Sequence, residues 1–228
     1  MEENKHHEFV TLDEMRAIVA APVQTIRDRR IRASAAFWFL SGVRVGAFVS
    51  LPVSAVDLNV FSVMQFPRLG VRTKFKKSAL TFLLDVPELF AVVVDWDREV
   101  RAAGAKFWFA SVSPDSGMID PSVSEVGINR SARARQDLRA WLDRVGLPYH
   151  SPHKFRHGHA VYAIKNARTI AALKAVSQNL MHSSLKVTDG VYGILSDLDV
   201  QSEIRGLGSP VADEDILGKL RELLKEKK

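Results

Sequence analysis

The sequence contains no cysteine, which removes disulfide frameworks and thiolate metal sites from consideration. It also has no long apolar run. Its most apolar stretches, Ala33–Val43 and Leu89–Val94, are too short to cross a bilayer. Met1–Val10 is polar and charged without an apolar segment, so no secretory leader is expected and the reducing cytoplasm is the expected compartment. There is no internal repeat and no low-complexity segment. Acidic residues are outnumbered, 26 against 32 Lys and Arg, giving a net charge of +6 over 228 residues. That balance permits a polyanionic partner without demanding one. Tyrosine is scarce as well: Tyr149, Tyr162 and Tyr192 are the only three.

What is present reads as a mainly helical α+β chain with a small antiparallel hairpin. Residues 1–7 form a leader. Thr11-Leu-Asp-Glu14 has the pattern of a capping box, opening a helix through Met15, Ile18 and Val19 that Pro22 stops. Gln24–Val45 carries a second helical pattern, basic in its first half and apolar enough in its second for a buried helix. Ser41-Gly42 breaks it, and Arg44 follows between Val43 and Val45. An arginine in so apolar a setting either pairs with an acid, Asp57 being the nearest, or points into a site that expects an anion. A strand is expected around Leu58–Gln65. A hairpin is expected beyond it, with strand Val71–Phe75, turn Lys76–Ser78 and strand Ala79–Leu84. Between Phe66 and Leu84 the chain has five basic residues, Arg68, Arg72, Lys74, Lys76 and Lys77, and no acid, which suits either lying along a phosphate backbone or guarding an edge strand.

Helices are further expected from Val86-Pro87-Glu88 to Gly104, over Ser124–Val145, over His153–Lys165 and over Thr169–Leu180, with a short helix or turn at Ser183–Tyr192. Gly206–Pro210 reads as a linker and Asp213–Lys227 as an amphipathic helix that packs on its own domain or on a neighbour. Ser124–Val145 is rich in arginine, Arg130 and Arg133 included.

The densest chemistry lies between Ser151 and Tyr192. On a helix His153 and Arg156 share a face. The guanidinium fork suits two oxygens of one phosphate, and the imidazole exchanges a proton near neutral pH. A metal reading of His153 and His157 lacks a carboxylate and places Arg156 against the cation, so no metal is expected. A plain basic surface helix is the bland alternative. Tyr192 can act as a nucleophile only with help, because a phenol of pKa about 10 is protonated at neutral pH.

Taken together, these residues resemble the tyrosine recombinases, or phage integrases, over their catalytic domain, here residues 8–206. The resemblance rests on Ser41-Gly-Val-Arg44, on Thr73-Lys74-Phe75, on His153-Lys-Phe-Arg156 followed by His157, on Leu180-Met-His182-Ser-Ser, and on Tyr192, in that order. It implies that Tyr192 attacks a DNA phosphodiester to form a 3′-phosphotyrosyl link. Arg44 and Arg156 would hold the non-bridging oxygens, His153 would serve as base or donor, His182 would hydrogen-bond the phosphate, and Lys74 would protonate the leaving oxygen. Double-stranded DNA is the implied partner, with Arg72, Lys76, Lys77, Arg130 and Arg133 the expected DNA-binding residues. A homotetramer on DNA, joined through the C-terminal helix, and no cofactor are implied as well, in a prokaryotic or phage-infected cell. The alternatives are a catalytically silent DNA-binding relative and a type IB topoisomerase-like relaxing enzyme. The sequence departs from the family pattern at Ala47, which replaces the usual Glu, at Met181, which replaces the usual Gly, and in the His182-to-Tyr192 spacing of ten, one longer than the commonest. The N-terminal DNA-clamp domain of the family is not expected in these residues.

Overall fold

A computed structural model describes residues 9–181 and 197–208. The expected positions of His182 and Tyr192, the leader and the amphipathic helix at Asp213–Lys227 lie outside the described residues. Within them the chain is α+β as expected: mostly helical, with a three-stranded antiparallel sheet. No described helix is long and apolar enough to cross a membrane.

The organising element is α2 (Ile26–Ser41). Its second half, Ala33 to Ser41, is buried on every side, as its uninterrupted apolar sequence requires. Around it pack α1 (Leu12–Ala20), α4 (Pro87–Ala102), α5 (Arg130–Arg144) and α6 (Pro152–Asn166). Phe37 and Trp38 on α2 meet Phe48 on α3 (Val45–Phe48) at ring-centroid distances of 5.2 and 5.0 Å, and Trp108 lies 4.6 Å from Phe37. Aromatic contacts of this kind add roughly 0.5–1.5 kcal/mol each beyond the area they bury. They fix the end of α2 against α3, the junction where Arg44 sits.

Both early helices begin with capping boxes. Thr11 and Glu14 satisfy each other's backbone groups, as the sequence pattern indicates. Thr25 and Asp28 do the same at α2, with Asp in place of the more familiar Glu. Asp28 also takes the Arg144 guanidinium, tying α2 to the end of α5.

The sheet corrects the expected hairpin. Strand β1 (Val56–Asp57) pairs with β2 (Ser62–Gln65), and β2 pairs with β3 (Ala79–Phe82), matching Ser62 with Phe82 and Gln65 with Ala79. The partner of β3 is therefore β2, and Val71–Phe75 is not a strand. Residues 66–78 form the long connection between the two strands, with single 3-10 turns at Pro67–Leu69 and Lys74–Lys76. Phe75 and Lys76 have φ of 59° and 53°, the left-handed region, and a chain so bent cannot continue a ladder.

Two other expectations shift. The arginine-rich helix starts at Arg130 rather than Ser124, because Gly127 and the fully displayed Ile128 lie in the approach loop. Helix α8 (Asp197–Gly206), which lies after α7 (Ile170–Asn179), was not expected at all. Val200, Ile204 and Leu207 bury its inner face against α7 and β3. Between α7 and β3, the buried Asn179 amide accepts from the Phe82 N–H at 2.7 Å and donates to the Phe82 carbonyl at 2.9 Å. It completes the backbone pairing of an otherwise open strand edge.

Candidate active site

The first arginine is placed by a glycine. α2 ends at Gly42 with φ +62°, and the reversal sends Val43 and Arg44 back across the helix end. Arg44 is the N-cap residue of α3 and half-buried; its carbonyl accepts from the Phe48 N–H at 2.9 Å, and its side chain makes no hydrogen bond or ion pair among the described residues. The expected alternative of pairing with Asp57 is not realised; the Asp57 carboxylate instead accepts from the Asn59 N–H. Position 47, Ala47, is buried and brings no acid to Arg44.

The second arginine comes from α6, which begins at Pro152 and is preorganised by proline at its first position. Arg156 is only 6% exposed. Its guanidinium donates to the Gly42 carbonyl and, at 2.6 Å, to the Leu180 carbonyl. The side chain thus clamps the end of α2 to the end of α7. These two acceptors fix the plane of the fork. Burial, and then the neighbouring Arg44 charge, pull the Arg156 pKa down to about 10, which still leaves it protonated at neutral pH.

His153 lies one turn before Arg156, exposed at the helix start. Its pKa is lowered, first by desolvation, then by His157, Arg156 and Arg44, so the neutral ring is favoured near pH 7. The His157 ring is also exposed, 4.2 Å from that of His153 between centroids. His159 has a different place. It is fully buried under the site, and its Nδ1–H donates to the Phe39 carbonyl at 2.8 Å. Its ring packs against Gly42: a Cβ built there would lie 2.9 Å from His159 Cδ2 and 2.7 Å from Leu180 Cδ2. Gly158, the neighbour of His159, lets the chain at Val10 cross α6. A Cβ there would come within 2.1 Å of the Val10 carbonyl oxygen.

The basic connection reaches the same corner. The Arg72 N–H donates to Ser50 Oγ at 2.8 Å, and the Arg72 carbonyl lies against Gly46 of α3. Lys74 follows two residues later, exposed, with its ammonium 5.0 Å from the centroid of the Phe75 ring. Lys76 and Lys77 are exposed on the same tip.

The remaining expected DNA contacts divide. Arg72 donates to the carbonyls of Val126 at 2.6 Å and Gly127 at 3.3 Å, bracing the approach to α5. Arg130 is turned inward, with all three nitrogens engaged by Val49 O, Ser111 Oγ and Phe109 O. Arg133 is exposed, and its side chain has no partner among the described residues. Thus Arg44, Arg156 and His153 come together, the Lys74 loop docks beside them, and Arg130 is occupied elsewhere. The parts missed from sequence are backbone carbonyls and a buried ring, Gly42, Leu180 and His159, whose roles depend on tertiary contact.

The other tyrosines are engaged. Tyr162 donates to the Gly208 carbonyl at 3.1 Å, and burial raises its pKa. The Tyr149 ring lies under the Arg139 guanidinium at 4.1 Å.

No protein-family model and no curated protein matches the sequence. Solved structures do. The chain superposes on the XerA recombinase with a TM-score of 0.54 and 20% identity, over 85% of this chain and 61% of that one. It superposes on the integrase from mycobacterium phage Brujita with a TM-score of 0.55 and 17% identity, over 92% and 62%. The XerH site-specific recombinase bound to difH substrate, in a pre-cleavage complex, gives 0.51 and 15% identity over 79% and 49%. The chain therefore spans less than two thirds of the length of each of these proteins. At these identities the likeness is one of architecture, and the chain has the catalytic-domain fold of the tyrosine recombinases and integrases.

Proposed function

We propose that the chain is a DNA strand-cleaving and rejoining domain acting as a site-specific recombinase or integrase, with Tyr192 as nucleophile. The observation that carries this reading is the pair Arg44 and Arg156. Two guanidinium groups close enough to perturb each other stand at the junction of α2, α3 and α6, and Arg44 has no anionic partner among the described residues. Such a pair suits a phosphodiester whose charge grows on the non-bridging oxygens during attack. XerH, which shares the fold, was captured on its DNA substrate before cleavage.

In this mechanism the Tyr192 oxygen attacks phosphorus and the bond to the 5′-oxygen breaks. The strand is left joined through a 3′-phosphotyrosine, and a free 5′-hydroxyl is released. Arg44 and Arg156 hold the non-bridging oxygens. His153, favoured in its neutral form by partial desolvation and by its cationic neighbours, accepts the phenolic proton or donates to the phosphate. Lys74 gives a proton to the departing 5′-oxygen, and His182 adds a hydrogen bond. The reverse reaction with another 5′-hydroxyl rejoins the strand, and because the energy of the ester is kept in the protein link, no cofactor is required. Assembly on DNA is as a homo-oligomer, joined through the segment 213–227.

The test is a duplex nicked near the scissile position, so that the short product diffuses away. The intact chain should accumulate a covalent protein–DNA adduct. Tyr192→Phe should bind the same duplex and form none. DNA binding by the intact chain without any adduct would overturn the proposal in favour of a silent DNA-binding protein.

A further inference from the structure

A second cationic cluster lies away from Arg44 and Arg156. A cavity of about 460 Å³ opens between the first half of α2 and the start of α5. Arg27, Arg30, Arg130 and Arg133 line it, against a single acid, Asp137. Arg30 and Ser41, at the end of α2 nearest the candidate active site, are eleven residues apart, about 16 Å along the helix axis.

Arg30 is the unusual member. It is 4% exposed. It donates to the Ala110 carbonyl at 2.5 Å and to Asp137 at 2.6 Å, and its guanidinium lies 4.2 Å from the centroid of the Phe109 ring. Its buried Nε has no acceptor among the described residues. Desolvation dominates its lowered pKa, and Arg130 and Arg27 push in the same direction against Asp137. One carboxylate faces four guanidinium groups. Arg27 and Arg133 are exposed at the rim, and their side chains have no partner among the described residues.

The start of α5 opens on the same cavity. This helix has fifteen residues, and its N-cap Asn129 makes no side-chain capping bond. First-turn N–H groups without a side-chain cap, and the positive end of the helix dipole, favour an anion there. The buried Arg30 is an independent feature pointing to the same charge. A chain selected only for stability gains nothing from gathering four cations around one acid in a partly desolvated pocket, since like charges repel more strongly as water is removed.

We propose that this pocket binds a phosphate group. A phosphate dianion would offset the surplus charge, accept from the rim guanidinium groups of Arg27 and Arg133, and face the first turn of α5. The phosphate can belong to a DNA backbone or to a phosphorylated small molecule, and the recognition chemistry is the same. The inference stands without the cleavage mechanism, because neither Tyr192 nor Arg44 takes part in it.

The test uses the full chain and inorganic pyrophosphate at low salt, with binding heat measured and the Arg30 Nε–H signal followed by NMR. The Arg30 signal should shift with pyrophosphate. The pair Arg27→Gln and Arg133→Gln, both at exposed unpartnered positions, should weaken binding about tenfold or more. Arg44→Ala should leave the Arg30 shift unchanged, which separates this pocket from the first cluster. An unmoved Arg30 signal, or undiminished affinity in the double variant, would overturn the proposal. The source follows from duplex binding. If the salt slope of the double variant falls by about two, the phosphate is DNA's. If the slope is unchanged while pyrophosphate binding is lost, the ligand is a phosphorylated small molecule.

Discussion

Replacing Gly42 with alanine perturbs the backbone and the packing of the candidate active site together. At φ +62° an L-residue costs about 1–2 kcal/mol relative to right-handed backbone. The added Cβ also meets Leu180 Cδ2 at 2.7 Å and His159 Cδ2 at 2.9 Å. Both neighbours are buried, and overpacking of this kind costs roughly 1–3 kcal/mol. The expected loss is about 2–5 kcal/mol, a large share of the 5–15 kcal/mol typical of a folded domain. Gly104 supplies the control. It has φ +68° but nothing within 4 Å of a built Cβ, so Gly104→Ala should show the backbone cost alone. Urea denaturation of the two variants beside the parent measures the difference. Because the Gly42 carbonyl accepts from Arg156, Gly42→Ala should also slow DNA cleavage under conditions where the variant remains folded. Equal destabilisation of the two variants would refute the close packing of Gly42 on His159 and Leu180.

His159 predicts acid sensitivity. Burial, the largest cause, holds its folded pKa down to about 4. In the unfolded chain it takes a proton near pH 6.5, so the contribution is whole above that pH and declines as pH falls towards 4. The loss reaches about 3 kcal/mol, and His159→Gln should remove most of that slope in urea melts at pH 7 and pH 4.5; an unchanged slope would contradict it. At the loop tip, Phe75 is 80% exposed in left-handed backbone. Phe75→Gly should therefore stabilise the fold by about 0.5–1 kcal/mol in thermal unfolding, and destabilisation would mean that the ring packs on the domain.

The helical frame was legible because its signals are local. The Thr11–Glu14 capping box, Pro87 at the start of α4 and Gly42 at the end of α2 each act within one turn. Arg44, His153 and Arg156 could be named as candidates because few residue types grip a phosphate. What escaped was tertiary. Nothing local says that β3 pairs with β2 across a thirteen-residue connection, or that Phe75 and Lys76, neither of them glycine, adopt positive φ. Arg30 and Arg130 look like surface charge in sequence, and only the fold shows them turned inward on Asp137 and on the carbonyls of Val49 and Phe109. Helix α8 had a weak signal, Val200, Ile204 and Leu207 at helical spacing, which becomes meaningful only with α7 and β3 to cover it.

The proposed chemistry joins the DNA to one phenolic oxygen, that of Tyr192. Digesting the trapped protein–DNA adduct and sequencing the nucleotide-bearing peptide by mass spectrometry tests it directly. The nucleotide should be found on Tyr192. Its presence on Tyr149 or Tyr162, or strand cleavage with no modified tyrosine at all, would contradict it.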